Sequence, residues 1–155
     1  MEIVKGLFLL PLTLLLFSPV HAAAPAPITF TVNSGTAVPI DIRTVNGIAF
    51  ITASQNLTFA GGMQGTSSQV FSVIIRTTGD YEIRGQGTFT GTVNDSQSGI
   101  IEYVFAATGT MTPYTQDGHV TFSRGADGLE GVHLEGPYHS TAPNVVTITL
   151  SLHAS

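Results

Sequence analysis

Short runs of β-branched and aromatic residues alternate with polar residues along most of the chain, and glycine or another turn residue follows each run. The runs have the length and composition of β-strands, and no segment shows the period of an amphipathic helix. The pattern predicts strands over residues 28–32, 37–45, 48–59, 70–77, 81–93, 100–108, 119–123, 129–138 and 145–152. Strands at such regular spacing predict an all-β, antiparallel meander that closes into a barrel of about eight strands.

Turn residues refine this prediction. Asn46-Gly47 predicts a two-residue hairpin, and Pro39 places the strand before it at an edge or an entry to the sheet. Gly85 and Gly87, within one predicted strand, indicate a sharp bend or a bulge. Polar loops are expected at residues 94–99 and 112–118, and a tight turn at 126–128.

The N-terminus is typical of a secretory signal peptide over residues 1–22. Lys5 precedes an apolar run that contains Pro11 and ends in Val20-His21-Ala22, a small-residue pattern for cleavage after Ala22. An uncleaved anchor is the alternative. We expect export to the periplasm or the extracellular space. Residues 23–27 then form an extended leader, and residues 28–155 a single barrel domain.

Composition narrows the functional classes. Charged residues are 10% of the chain, against roughly 25% in ordinary globular proteins. The formal net charge is −5 and no basic cluster occurs, so neither nucleic acid nor, after cleavage, a membrane surface is an expected partner. With no cysteine there is no disulfide, thiolate nucleophile or zinc–sulfur site. Asn56 and Asn94 lie in N-glycosylation sequons, which matter only in a eukaryotic host.

Three motifs of glycine, threonine and phenylalanine lie between residues 57 and 136. They are F-x-G-x-x-x-G-T-S (Phe59, Gly61, Gly65, Thr66, Ser67), G-x-F-x-G (Gly87, Phe89, Gly91) and G-x-x-G-L-x-G (Gly125, Gly128, Leu129, Gly131). In these motifs the chain resembles the small barrels related to plant allene oxide cyclase and dirigent proteins, chiefly microbial members of unknown function. The resemblance implies an eight-stranded antiparallel barrel with an apolar lumen. It carries over no catalytic residue, because the matched positions report barrel geometry.

Alternation within the strands predicts which residues line that lumen. Tyr81, Ile83 and Phe89 share one face of their strand, and we expect them, with Phe105 of the next strand, to contact an apolar ligand. Asp80, Glu82, Arg84 and Gln86 share the opposite face, which is predicted to meet solvent.

Glu102 is the first candidate for chemistry, because it stands in a run that is apolar on both faces. Inside the barrel it could act as a general acid or base, with Tyr103 and Arg76 orienting a substrate. Pairing with Arg76 would instead keep it ionised, and a place on the exterior is the other alternative. His133 and Glu135 could supply two metal ligands, but no third ligand lies at a fixed spacing from them, so no metal is expected. No motif indicates a cofactor.

Two functional hypotheses therefore remain open. In the first, a secreted barrel binds an apolar small molecule and steers its cyclisation or isomerisation by confinement, without a cofactor. In the second, the barrel is filled by side chains and serves as a secreted structural or surface-interaction protein. The sequence leaves the oligomeric state open.

Overall fold

The computed structural model describes residues 25–154, and these form nine β-strands with no helix. The strands are β1 (Ala26–Ser34), β2 (Val38–Val45), β3 (Ile48–Gly61), β4 (Met63–Ile75), β5 (Asp80–Val93), β6 (Gly99–Met111), β7 (Tyr114–Asp127), β8 (Val132–Ser140) and β9 (Val145–Ala154). The predicted signal peptide lies outside the described residues. Within the described range, no helix has the length and apolar character needed to cross a membrane.

The strands form one antiparallel sheet in the order β1-β9-β8-β7-β6-β5-β4-β3-β2, and β1 also pairs with β3. This last pairing closes β1 and β3–β9 into an eight-stranded barrel. The all-β, antiparallel barrel that the alternation predicts is therefore confirmed. One strand, β2, remains outside the closed wall.

β3 is long enough to pair with two different strands along the same edge. Its residues 57–61 pair with β1, and its residues 48–54 pair with β2. Asn46 and Gly47 join β2 to β3 with φ values of 51° and 79°, the positive φ at both positions that a type I′ turn requires. β2 therefore continues the sheet beyond the closed barrel as an edge strand.

Alternate residues of each strand point inward, and at one end of the barrel they fill it. The rings of Phe30, Phe59, Phe89 and Phe122 lie with centroids 4.9–6.5 Å apart. Leu129, from the β7–β8 turn, is fully buried and plugs this end. We call this packed layer the floor; its other members are Ile28, Met63, Ile101, Leu134 and Leu150.

Two strands, β4 and β7, begin five or more residues earlier than predicted. β4 begins at Met63, because its inward positions Gly65, Ser67 and Gln69 are small or polar and hide the alternation. β7 begins at Tyr114 within the segment predicted as a loop, for the same reason. The polar loop predicted at residues 112–118 is thus wrong; only residues 112–113 form the turn.

Of the sharp bend or bulge expected at Gly85 and Gly87, the bulge is wrong. β5 pairs with β4 and β6 without a shift in register at either residue. Register shifts occur instead between Pro39 and Asp41 in β2 and between Ile100 and Glu102 in β6. The two glycines instead make room for rings inside the barrel, Gly85 for Phe105 and Gly87 for Tyr103.

β4 and β5 approach each other closely where Gly65 pairs with Gly91. A Cβ on Gly65 would clash with the Thr90 carbonyl oxygen and lie 2.8 Å from the Gly91 Cα. A Cβ on Gly91 would likewise clash with the Gln64 carbonyl oxygen. Both glycines have positive φ, 155° and 158°. Side chains at these positions are therefore incompatible with the observed register.

Candidate functional site

Above the floor, the barrel encloses a cavity of about 220 Å³ that opens at the barrel mouth, beside the β6–β7 turn and residues 141–144. Its apolar wall includes Phe30, Val32, Leu57, Phe71, Val120, Phe122, Val146 and Ile148. Its polar lining is made by amide and hydroxyl side chains: Ser34, Gln55, Gln69, Tyr103, Tyr114, Gln116, Tyr138 and Ser140. The lumen is thus filled at one end and open at the other.

The structure places the predicted ligand-binding residues at different depths. Ile83 and Phe105 line the cavity. Phe89 lies below it, fully buried in the floor. Tyr81 is buried near the mouth, where its hydroxyl donates to the Thr115 carbonyl oxygen at 2.9 Å. That any of them contacts a ligand stays a prediction.

Of the three predicted catalytic residues, only Tyr103 faces the lumen. Tyr103 points inward, so the preceding residue, Glu102, points outward; its side chain is 55% exposed and pairs with Arg124 at 3.3 Å. Arg76 lies on the surface and pairs with Glu82. Of the positions expected for Glu102, the structure therefore shows the exterior one, and neither Glu102 nor Arg76 reaches the lumen to act on a substrate there with Tyr103. The segment around Glu102 is apolar on both faces in sequence because the outward face of β6 also carries a hydrophobic residue, the exposed Val104.

Tyr103 is the centre of a buried hydrogen-bond chain. Its hydroxyl donates to Gln69 Oε1 at 3.0 Å, so Ser67 Oγ is the donor in the 2.6 Å contact with Tyr103 Oη. Gln69 Nε2 donates to Gln55 Oε1 at 3.1 Å, and Gln55 Nε2 donates to the Gly35 carbonyl oxygen at 2.7 Å. The chain fixes the Tyr103 ring against one side of the cavity.

A second chain lies at the mouth. The Tyr114 hydroxyl donates to Gln116 Oε1 at 2.5 Å, and Gln116 Nε2 donates to Tyr138 Oη at 2.8 Å. Tyr138 ends this chain as an acceptor, and its own hydroxyl hydrogen has no acceptor among the described residues. Tyr138 is therefore a donor that the cavity wall can offer to a guest molecule.

Glycines on the facing strand make room for the aromatic rings of the wall. Gly87 pairs with Tyr103, and a Cβ on Gly87 would lie 2.5 Å from the tyrosine Cζ. Gly118 pairs with Tyr138, and a Cβ there would lie 2.6 Å from that ring's Cζ. The rings consequently lie flat along the barrel wall instead of crossing the lumen, which helps to keep the cavity open.

The described lining of the cavity contains no charged side chain and no histidine. Burial raises the pKa of Tyr103 to about 12 and that of Tyr138 to about 12, because the phenolate would lose its hydration. Both hydroxyls stay protonated at neutral pH. They can donate hydrogen bonds, but they cannot act as bases.

The remaining candidate residues lie on the outside. His133 Nε2 is 3.5 Å from Glu135 Oε2, and both side chains are at least 40% exposed. The centroid of the His153 ring lies 5.8 Å from that of the His133 ring. Across residues 25–154, no group of three His, Cys, Asp or Glu side chains could hold a metal ion. Asn56 and Asn94, the sequon asparagines, are exposed.

Sequence reasoning missed the glutamines of the cavity wall. Gln55, Gln69 and Gln116 stand at inward positions of their strands, and Gln55 pairs directly with Gln69 across β3 and β4. A polar residue at a position where the alternation demands an apolar one was the available signal. This signal can be used only when the register of β4 and β7 is known. The sequence places the start of both strands too far along the chain, so their first inward positions are not recognised.

No family model matches the chain, and no match was found among curated proteins.

The raised pKa of buried Tyr103 should make the free energy of unfolding depend on pH in the alkaline range. Unfolded tyrosine ionises near pH 10, so between about pH 10 and 12 the unfolded state loses protons that folded Tyr103 keeps. Stability is therefore unaffected by this group below pH 10. It should then fall by up to about 1.4 kcal/mol per pH unit as the pH rises towards 12. Urea unfolding at a series of pH values measures this loss.

Tyr103→Phe provides the control. At pH 7 it should cost about 1–3 kcal/mol, because Ser67 and Gln69 keep buried polar atoms that lose their partner. Above pH 10 its stability should fall less steeply than that of the original chain. Parallel pH profiles for the two proteins would contradict this assignment of the raised pKa.

Proposed function

We propose that this protein binds an uncharged, largely apolar small molecule in the open half of its barrel. The observation that carries the proposal is the cavity of about 220 Å³, whose lining combines an apolar wall with amide and hydroxyl groups only. Small-molecule sites have this composition: an apolar surface with a few placed polar groups.

The size of the cavity limits the guest. An engineered cavity of about 150 Å³ in another protein accommodates benzene, so about 220 Å³ has room for a compact molecule of roughly ten non-hydrogen atoms. A longer molecule would have to extend through the mouth. The Tyr138 hydroxyl offers a hydrogen bond to one oxygen acceptor on such a guest.

The electrostatics of the lumen favour a neutral guest. A carboxylate or an ammonium group would leave water for a wall that holds no opposite charge, which costs several kcal/mol. The charged pairs of the described residues, such as Arg76–Glu82 and Arg124–Glu102, lie on the exterior. They provide no compensation inside the cavity.

The composition of the cavity wall also limits the mechanism by which the protein could catalyse a reaction. With no carboxylate, histidine, lysine or arginine in the cavity lining, any cyclisation or isomerisation would proceed by holding a flexible guest in one reactive conformation away from water. Such confinement is also the role that the likeness of the glycine motifs to the allene oxide cyclase and dirigent barrels suggests. We further propose, from the predicted signal peptide, that the protein acts after export.

A non-enzymatic structural or surface-interaction protein is the second candidate. The observation that favours it is the floor, where four phenylalanine rings, Leu129 and the other buried residues of this layer fill one end of the barrel. A barrel whose sole task is rigidity would need no cavity above this layer. The two proposals therefore differ in whether the upper half accepts a guest.

Thermal unfolding with four naphthalene derivatives tests the proposal; two of them, 1-naphthamide and 1-naphthoate, have the same number of non-hydrogen atoms and differ in charge. Naphthalene and 1-naphthol should each raise the melting temperature by several degrees near saturation, since about 2.7 kcal/mol of stabilisation is expected at a ligand concentration one hundred times Kd. Neutral 1-naphthamide should also raise it, and the 1-naphthoate anion of the same size should not. Equal stabilisation by the anion, or none by any probe, would contradict the proposal.

Matched variants locate the site. Val146→Phe places a ring in the cavity and should abolish the shift with naphthalene. Val104→Phe makes the same change on the outer face, where residue 104 is 56% exposed, and should leave the shift unaltered. A shift that survives Val146→Phe would place naphthalene elsewhere on the protein.

A further inference from the structure

β2 ends the sheet, and its far edge has no partner strand in the part of the chain that the structure describes. All eight of its residues are exposed. They include four of the large hydrophobic side chains that remain most exposed, Val38, Ile40, Ile42 and Val45, at 52–62%. An edge strand of this kind offers unpaired backbone N–H and C=O groups to another strand.

The hairpin determines which backbone groups face outward. In a hairpin with a two-residue turn, the pair that flanks the turn is hydrogen-bonded, here Val45 with Ile48. Counting back along β2, Arg43 also turns its backbone groups towards β3. Ile42 and Thr44 turn theirs towards the free edge. An incoming strand must therefore form its hydrogen bonds with Ile42 and Thr44.

Asp41 and Arg43 flank Ile42 on the face of the sheet opposite to the lumen. Neither forms an ion pair within residues 25–154. The Arg43 guanidinium lies 5.0 Å from the centre of the Phe50 ring, a cation–π contact that holds it over the sheet. Two opposite charges are thus placed one on each side of the same outward-facing backbone position.

These charges are self-complementary under a two-fold axis. If two β2 strands pair antiparallel with Ile42 opposite Ile42, each Asp41 stands opposite the Arg43 of the other copy, in a pair whose side chains lie close together. Shifting the register by two residues sets Arg43 opposite Arg43, which is repulsive. One register is therefore favoured by charge.

We propose that the free edge of β2 binds β2 of a second copy of this chain, antiparallel and centred on Ile42. The result is an isologous dimer in which the two sheets become continuous. Pro39 and the irregular register between Pro39 and Asp41 limit the regular pairing to about residues 40–44. The contact is consequently short, and its two reciprocal ion pairs set its register.

A single introduced cysteine tests the geometry, because the chain has none of its own. In the full chain, Ile42→Cys should be cross-linked to a covalent dimer by a short bis-maleimide, since the two Cα atoms lie about 5.5 Å apart in the proposed pair. Thr44→Cys is the control. Its two copies would be about 14 Å apart and should cross-link at least tenfold more slowly. Equal cross-linking of both variants, or of neither, would overturn the proposal.

Charge reversal tests the register in solution by sedimentation velocity over about a hundredfold range of protein concentration. The original chain should associate as concentration rises. Asp41→Arg and Arg43→Asp should each weaken the association about tenfold, because each sets like charges opposite one another. The double variant Asp41→Arg/Arg43→Asp should restore it. A monomer at every concentration, or a double variant no better than the single ones, would overturn the proposal.

Discussion

Replacing Phe122 with alanine is expected to lower the free energy of unfolding by about 3–5 kcal/mol. The Phe122 ring belongs to the floor and also lines the cavity above it; its centroid lies 5.0 Å from that of Tyr103 and 6.2 Å from that of Phe30. Its removal would join a new void to the existing cavity. The surrounding strands cannot collapse into that space, because their hydrogen-bonded register holds the wall in place.

Urea unfolding at neutral pH measures this loss, with Val104→Ala as the control. Val104 lies on β6 as an outward hydrophobic residue, 56% exposed, so its truncation should change stability by no more than about 0.5 kcal/mol. Similar losses for the two variants would mean that Phe122 is not packed in the floor as described. A partial loss near 1 kcal/mol would require the barrel wall to relax inward.

Gly65→Ala is expected to destabilise the barrel by about 3–5 kcal/mol, although it adds only one methyl group. The new Cβ would clash with the Thr90 carbonyl oxygen and lie 2.8 Å from the Gly91 Cα. Both contacts are backbone atoms of β5, so no side-chain rotation relieves them. β4 is also paired with β3 on its other side, which prevents a local shift of the strand.

Gly79→Ala is the matched control for Gly65→Ala. Gly79 has a φ of 89°, but a Cβ there would meet no atom within 4 Å. The control therefore carries backbone strain alone and should cost about 1–2 kcal/mol. Equal losses for the two variants, measured by thermal or urea unfolding, would show that the close approach of β4 and β5 contributes nothing.

The barrel could be predicted because its signal repeats in every strand. Alternation in segments such as β1, β5 and β9 distinguishes inward from outward residues, and Asn46-Gly47 marks a turn whose backbone few other residue pairs adopt. Closure was predicted only as a consequence of the meander. The division of β3 between β1 and β2 was not foreseen, because pairing partners depend on contacts distant in sequence.

The site was harder to predict, because it departs from the pattern that reveals the fold. The lumen combines hydrophobic residues with inward glutamines, and β6 is hydrophobic on its outer face as well. Glu102 consequently stood out as a charge in an apolar run, although the alternation within β6 points it to solvent. Gly85 and Gly87 suggested a bulge, since a glycine in sequence does not reveal whether it bends a strand or accommodates a facing ring.

A crystal structure of the protein soaked with 1-bromonaphthalene tests the central claim most directly, because bromine gives an anomalous signal that locates the probe. We predict one dominant peak inside the barrel, above Phe122 and between the walls that carry Phe105 and Val146. The Val146→Phe variant should lose that peak. Peaks confined to the outer surface, with the lumen unchanged, would contradict the claim that the open half of this barrel accepts a guest.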